Sequence, residues 1–270
     1  MIPKIIHYCW FGENPLPELA VKCIESWKKY CPDYKIIEWN ESNFDLTCCE
    51  YVKEAYQEKK WAFVSDYVRL KVVYDNGGIY LDTDVELLKS LDNFLLDGAF
   101  YGIEQSSCEE KYIATGLGFG AEKNHFTVKA MLDDYENVHF VTEDGIDNTT
   151  CPVRNTGSLL KYGIETIDGL KKYDGFSVYP SEYFCPIMFN SNVKKFTENT
   201  VSIHHYTASW YNKSEKFYYV CCGKMRKYFN DALAVKVAKL IWAPYAFGLK
   251  CKEIGLRKTI IAMVKKIKGK

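Results

Sequence analysis

The chain has 270 residues, 47% hydrophobic and 26% charged, the composition of a globular protein rather than a disordered one. Its formal net charge is zero but unevenly spread. Residues 224–270 hold thirteen Lys or Arg against Asp231 and Glu253, so this segment carries +11 and residues 1–223 carry −11. This predicts an acidic body, residues 1–223, that binds a metal or a polar substrate, and a basic tail, residues 224–270, that seeks anions. Eleven cysteines without C-x-x-C spacing fit zinc sites and disulfide frameworks poorly and fit the reduced thiols of a cytosol better. The opening Met1–His7 is not patterned as a signal peptide. The best apolar run, near Ala238–Leu249, is too short for a bilayer span.

In chain order, Lys4–Tyr8 reads as a buried strand that ends in the aromatic loop Cys9–Gly12. A helix follows from Pro17, with Ala20, Cys23, Ile24 and Trp27 at helical spacing, and Tyr34–Trp39 is a second strand. This strand–helix–strand alternation points to a parallel α/β sheet. Helical pattern returns over Tyr51–Asp75 and stops at Asn76-Gly77-Gly78. Ile79–Val85 then reads as a strand whose acidic half leaves the carboxyl end of the sheet, where open α/β sheets bind ligands. Phe100–Ile103 and Gly116–Gly120 read as strands or tight backbone approaches, Ser177–Pro180 and Val201–Tyr206 as late strands, and His125–Tyr135 as a helix.

Four features carry chemistry. In Asp82-Thr83-Asp84, residues two apart on a strand end share a side, and paired carboxylates call for a cation or a proton. A hard divalent ion that bridges to phosphate suits them, although Asp-x-Asp is also common in plain loops. Asp66 and Arg69 share a helical face that adjoins the strand through the Gly-Gly turn, a spacing that a common surface ion pair also has. His204 and His205 point opposite ways on a strand, so one at most faces a given metal. Trp10 is placed to stack on a nucleobase or to serve the core.

Taken together and in order, Ile2–Gly12, Ser26-Trp27, Pro32–Asn40, Ala62–Leu70, Gly77–Asp84 and His204–Trp210 closely resemble glycosyltransferase family thirty-two. These are the DXD-motif sugar transferases, which include capsular and surface polysaccharide enzymes and the yeast initiating mannosyltransferase. The resemblance is dense over residues 2–100, returns at 201–210, and is absent beyond about 225. It implies a GT-A fold with a mainly parallel sheet, and a metal-dependent transferase that retains anomeric configuration. It also implies Mn2+ or Mg2+ and a nucleotide-sugar donor, with a UDP-sugar favoured. Under it, Trp10 stacks on the base and Tyr80 lines the nucleoside pocket. Asp66 and Arg69 hold the donor sugar, Asp82 works at the ribose and metal edge, and Asp84 ligates the metal. One of His204 and His205 completes the metal shell, with His205 favoured. Ser209 and Trp210 contact the departing diphosphate, and Asn155 faces the sugar opposite the leaving group.

In the tail, Leu256, Ile260, Met263, Val264 and Ile267 fall on one helical face with basic residues largely on the others. A basic amphipathic helix suits an anionic membrane surface, which predicts a cytoplasmic protein peripheral to the inner face of the plasma membrane. A helix packed on the core or a nonspecific nucleic-acid patch would share the pattern, and no specific nucleic-acid partner is expected. Three functional readings stay open: a transferase building capsular or surface polysaccharide on a glycan or lipid-linked acceptor, a protein-glycosylating transferase, and a non-catalytic sugar-nucleotide-binding partner.

Overall fold

The computed structural model describes residues 1–105, 111–143, 145–164, 169–188, 194–207 and 213–260. By their contacts the residues form two units: Met1–Phe189 with Val193–Thr207, and Asn190–Asn192 with Ala208–Lys270.

The first unit opens with β1 (Ile5–Cys9), α1 (Glu18–Tyr30), β2 (Lys35–Trp39), α2 (Glu50–Gln57), α3 (Trp61–Asn76), β3 (Gly78–Tyr80) and β4 (Val85–Leu87). It continues through β5 (Ala99–Gln105), β6 (Lys111–Ile113), β7 (Phe119–Ala121), α4 (Phe126–Asp133) and the short pair β8 (Val141–Thr142) and β9 (Gly145–Ile146). It ends with α5 (Cys151–Leu160), β10 (Lys171–Tyr173), β11 (Phe176–Tyr179), α6 (Ser181–Phe184) and β12 (Ser202–His204). The central sheet runs β10-β11-β5-β7-β3-β1-β2, with β6 paired to β5. From the pairings, β2, β1, β3, β5 and β11 point one way, and β7 and β10 are reversed. The sheet is therefore mixed and mostly parallel. This is the α/β organisation with a mainly parallel sheet that the sequence led one to expect.

Local chemistry accounts for the elements that frame the site. In α1, Glu18 lies in the first turn and Lys28 and Lys29 in the last, each matched to the helix dipole, while Ala20, Cys23, Ile24 and Trp27 turn inward. The buried Trp27 Nε1 donates to the Val85 carbonyl at 2.7 Å, and Ser26 Oγ accepts from the Leu87 amide at 2.9 Å. The Ser-Trp pair thus pins β4 to α1. On β1, the buried His7 accepts from Trp39 Nε1 through Nδ1 at 3.0 Å, which leaves Nε2–H to donate to the Gly77 carbonyl at 2.9 Å. Gly77 and Gly78 both have positive φ, and a Cβ on Gly78 would meet His7 Nε2 at 2.8 Å. The glycine pair is what lets α3 turn directly into β3 against β1.

Two expectations change. The single helix predicted over Tyr51–Asp75 is two, α2 and α3, divided where Lys59 takes φ +55° and where Lys59 and Lys60 bond back to Tyr56 and Ala55. The strand predicted over Ile79–Val85 is also two, because the backbone turns at Asp82: its carbonyl accepts from the Val85 amide at 3.0 Å. After that turn β4 leaves the main sheet and pairs antiparallel with β12, which sets His204 opposite Val85.

The second unit contains α7 (Lys213–Met225) and α8 (Asp231–Ile254). Cys221, Cys222 and Ala238 form its small core, and Asn230 caps α8 by accepting from the Leu233 amide at 3.0 Å. Among the described residues, Ala232–Ile254 is long and apolar enough, by length and composition, to cross a membrane. This corrects the expectation of no bilayer-length segment, which counted only uninterrupted apolar residues; the helix continues through Lys236 and Lys239. Of the apolar positions named in the tail, Met263, Val264 and Ile267 lie outside the described residues.

Candidate active site

The Asp82 turn and the end of β12 bring three ligand-bearing side chains together. The donor atoms of Asp82, Asp84 and His204 all lie within 4.8 Å of one another. His204 Nε2 stands 3.0 Å from Asp84 Oδ1. The other oxygen of Asp84 accepts from the Thr207 amide at 2.9 Å and from its hydroxyl at 2.8 Å. The His205 amide donates to the Asp84 carbonyl at 3.0 Å, while its ring points elsewhere, Nε2 lying 2.8 Å from Glu86 Oε2. The favoured His205 is therefore not the ring brought to Asp84, which is that of His204. Strand alternation sends the two rings to opposite sides, and the antiparallel register with β4 gives the Asp84 side to His204.

Asp82 also belongs to a second group beneath the turn. Its Oδ1 accepts from the Tyr80 hydroxyl at 3.0 Å and lies 3.2 Å from Arg69 Nη2, which is 3.0 Å from Asp66 Oδ1. Asp66 and Arg69 are 8% and 5% exposed, so the pair is buried and not the surface ion pair that spacing alone allows. The guanidinium sits 5.0 Å over the Tyr80 ring, and its Nε donates to the Ser65 carbonyl at 3.0 Å. Asn155 comes from α5, fully buried, with Nδ2 2.9 Å from Thr115 Oγ1. Gly116 leaves the space the turn needs: a Cβ there would sit 2.2 Å from Asp82 Oδ2.

The electrostatics follow the placement. Burial pushes Asp66 up to about 6 against the opposing pull of Arg69. Burial likewise raises Asp82, with Arg69 opposing and Asp84 reinforcing. Burial acts on Asp84 in the same sense, but the His204 ring and the Thr207 donors outweigh it and hold its carboxyl below the usual range. His204 is the complement: burial disfavours its charge, yet Asp84 wins and raises it to about 9. Arg69 stays charged despite burial because Asp82 and Asp66 flank it.

These residues fit a divalent cation. Two carboxylates and an imidazole converge, hard oxygen donors predominate, and the buried Nδ1 of His204 has no partner among the described residues. Trp10 lies half-buried in the loop after β1, its Nε1 donating to the Asn14 carbonyl at 2.6 Å. Because β1 and β3 are parallel neighbours, Trp10 leaves the sheet at the same edge as Asp82. Tyr80 is buried below Asp82 and aims its hydroxyl at that carboxylate. Ser209 and Trp210 lie outside the described residues. Sequence reasoning assigned no role to Thr207, Thr115, Gly116, Cys151 or the half-buried Glu104. The last belongs here because His204 and Asp82 both act on its carboxyl, which burial raises. Only Thr207 had a signal, its place inside His204–Trp210.

Part of the chain is similar to known proteins. Residues 17–101 match the family described as "Glycosyltransferase sugar-binding region containing DXD motif". The chain is 36% identical over 98 residues to inositol phosphoceramide mannosyltransferase 3 of Schizosaccharomyces pombe, covering 35% of this chain and 27% of that protein. It is 32% identical over 110 residues to an uncharacterized glycosyltransferase of Acanthamoeba polyphaga mimivirus, covering 37% of this chain and 43% of that one. The chain thus matches less than half the length of either relative. Among solved structures, the PaToxG glycosyltransferase superposes with a TM-score of 0.48 at 20% identity, over 62% of this chain and 72% of that one. Residues 17–101, which hold Asp66, Arg69, Tyr80, Asp82 and Asp84, are thus similar to the sugar-binding region of the DXD-motif glycosyltransferases, of the family-thirty-two type.

Proposed function

We propose that the protein is a metal-dependent glycosyltransferase that moves a sugar from a nucleoside-diphosphate donor to a glycan or lipid-linked acceptor with retention of configuration. The observation that carries this reading is the convergence of Asp82, Asp84 and His204 on one point, with the buried Asp66–Arg69 pair joined to it through Asp82. Such a site holds a diphosphate through a cation at one end and sugar hydroxyls at the other.

The ion, Mn2+ or Mg2+, supplies positive charge where the leaving diphosphate gains negative charge. Asp84 and His204 hold it, with Thr207 keeping the Asp84 carboxylate in place. Asp82 would complete the set of groups that could hold the ion, while its carboxylate stays paired with Arg69. Asp66 accepts from donor-sugar hydroxyls, and Arg69 donates to them and towards phosphate. Asn155 faces the sugar from α5. Trp10 stacks on the base, Tyr80 supports Asp82 beneath the nucleoside, and Ser209 and Trp210 meet the leaving diphosphate. In the transfer, the bond between the anomeric carbon and the phosphate oxygen breaks. The acceptor oxygen bonds to that carbon on the same face, and its proton passes to a donor phosphate oxygen.

In this reading residues 1–223 are the catalytic part and residues 224–270 attach it to the cytoplasmic face of a membrane, where lipid-linked acceptors reside. Support comes from α8, which exposes Leu240, Ile241 and Tyr245, within a segment carrying +11. A capsular or surface polysaccharide role follows from the resemblance. The donor is a UDP-sugar on the family resemblance, whereas the relative named as a mannosyltransferase adds GDP-mannose to the panel.

The test is donor hydrolysis over UDP-glucose, UDP-galactose, UDP-N-acetylglucosamine and GDP-mannose, with Mn2+ and with chelator. Metal-dependent turnover of one donor supports the reading and names the sugar. Absence of both donor binding and turnover over the whole panel contradicts it.

A further inference from the structure

The site contains a residue whose chemistry the transfer does not use. Cys151 opens α5, is 5% exposed, and its thiol lies among all the groups assigned to the sugar. Asn155 Nδ2 donates to its sulfur at 3.1 Å, Arg69 Nη1 at 3.7 Å, and Thr115 Oγ1 lies 3.1 Å away. The Asp66 carboxyl also lies beside the thiol, whose influence favours its charged form against burial.

We infer that Cys151 is the positioning residue of the donor-sugar site, a neutral thiol that fixes Asp66, Arg69 and Asn155 relative to one another. The inference rests on the glycosyltransferase reading above. The three groups come from two helices, α3 and α5, far apart in sequence, and this sulfur takes hydrogen bonds from both Arg69 of α3 and Asn155 of α5. One S–H donor turned to Asp66 leaves the sulfur lone pairs for the N–H groups of Arg69 and Asn155. Burial supports the neutral form by pushing the thiol up to about 12. The side chain is therefore a hydrogen-bonding hub and not a nucleophile. Sulfur also suits the spacing. A 3.7 Å contact is a hydrogen bond to sulfur but not to oxygen, and a serine oxygen sits on a shorter bond. Serine would keep contacts to Asp66 and Asn155 and release Arg69; alanine would release all three.

A positioning role and a packing role differ in what they disturb. Loss of the hub leaves the nucleotide and metal ends of the site unchanged but lets the sugar-holding groups drift. Displacements of this kind cost about ten- to a hundredfold in turnover.

The experiment compares wild type, Cys151→Ala and Cys151→Ser. Affinities for UDP and GDP in Mn2+ are measured first, then kcat and KM for hydrolysis of the four donors above. The expected result is unchanged nucleoside-diphosphate affinity in all three proteins, kcat lowered about ten- to a hundredfold in Cys151→Ala, and an intermediate value in Cys151→Ser. Wild-type kcat and KM in Cys151→Ala would overturn the inference. So would an equal loss of nucleoside-diphosphate and donor affinity in both variants, which marks a packing role. Failure of wild type itself to bind any nucleotide or donor would overturn the glycosyltransferase reading, and the inference with it.

Discussion

The buried Arg69 and the half-buried Asp82, thirteen residues apart, form an ion pair of 3.2 Å that joins the helix carrying Asp66 to the turn carrying Asp82 and Asp84. The guanidinium is shared, since Nη2 also stands 3.0 Å from Asp66. Both carboxylates meet at Nη2, whereas Nη1 is turned to the Cys151 sulfur, so the link between Asp66 and Asp82 does not run through the thiol.

Replacing Arg69 by Met leaves the buried Asp66 and the half-buried Asp82 without their shared cation. Removing one partner of a buried pair costs about 3–5 kcal/mol. Urea unfolding of Arg69→Met is expected to show a loss of that order, with donor turnover abolished. A variant as stable as wild type would mean that the pair is solvated in solution.

Gly116→Ala tests the turn by steric means, because its Cβ would overlap Asp82 Oδ2. Mn2+ affinity is expected to fall at least tenfold, on the order of a displaced ligand's effect, with the far-ultraviolet spectrum of wild type. Gly157 in α5 is the control, since a Cβ there meets nothing within 4 Å. Isothermal titration with Mn2+ distinguishes them, and equal affinities in the two variants would contradict the geometry.

Much of this arrangement was legible in the chain and some was not, for physical reasons. The i,i+3 spacing of Asp66 and Arg69, the Gly77-Gly78 turn and the Asp82–Asp84 spacing are local, and local pattern is what sequence displays. The choice between His204 and His205 depends on the register of β12 against β4, which pairs residues more than a hundred positions apart. The Cys151–Thr115–Asn155 contacts likewise exist only once α5 packs over β6. The break at Lys59 has no glycine or proline to announce it, and tertiary packing overrides a continuous helical stripe there.

Asp66 gives a pH signature. Its carboxyl is raised to about 6 in the folded protein from an ordinary 3.8, so the folded state binds the proton more tightly. The associated stability is fully present below about pH 4 and is lost as pH rises through 6, on the order of 3 kcal/mol in total. Asp66→Asn removes this titration. In metal-free protein, the stability of the variant relative to wild type is expected to rise by that order between pH 4 and 7 in urea melts. A difference that stays flat would contradict the raised value.

The basic segment predicts binding to anionic vesicles. Wild type is expected to sediment with phosphatidylglycerol-containing liposomes and not with phosphatidylcholine alone, and Lys→Glu changes at Lys236, Lys239, Lys250 and Lys252 should weaken this. Release by high salt indicates a helix lying on the surface, and retention indicates that Ala232–Ile254 enters the bilayer. Equal sedimentation of wild type with both lipids at low salt would contradict the electrostatic account.

The most direct test of the central claim is Mn2+-dependent donor hydrolysis by His204→Ala and His205→Ala, measured beside wild type and Asp84→Ala. His204 and Asp84 share the cation site, whereas His205 faces Glu86. The account predicts that His204→Ala and Asp84→Ala lose Mn2+-dependent turnover, while His205→Ala keeps turnover close to wild type. Full activity in His204→Ala together with loss in His205→Ala would contradict it.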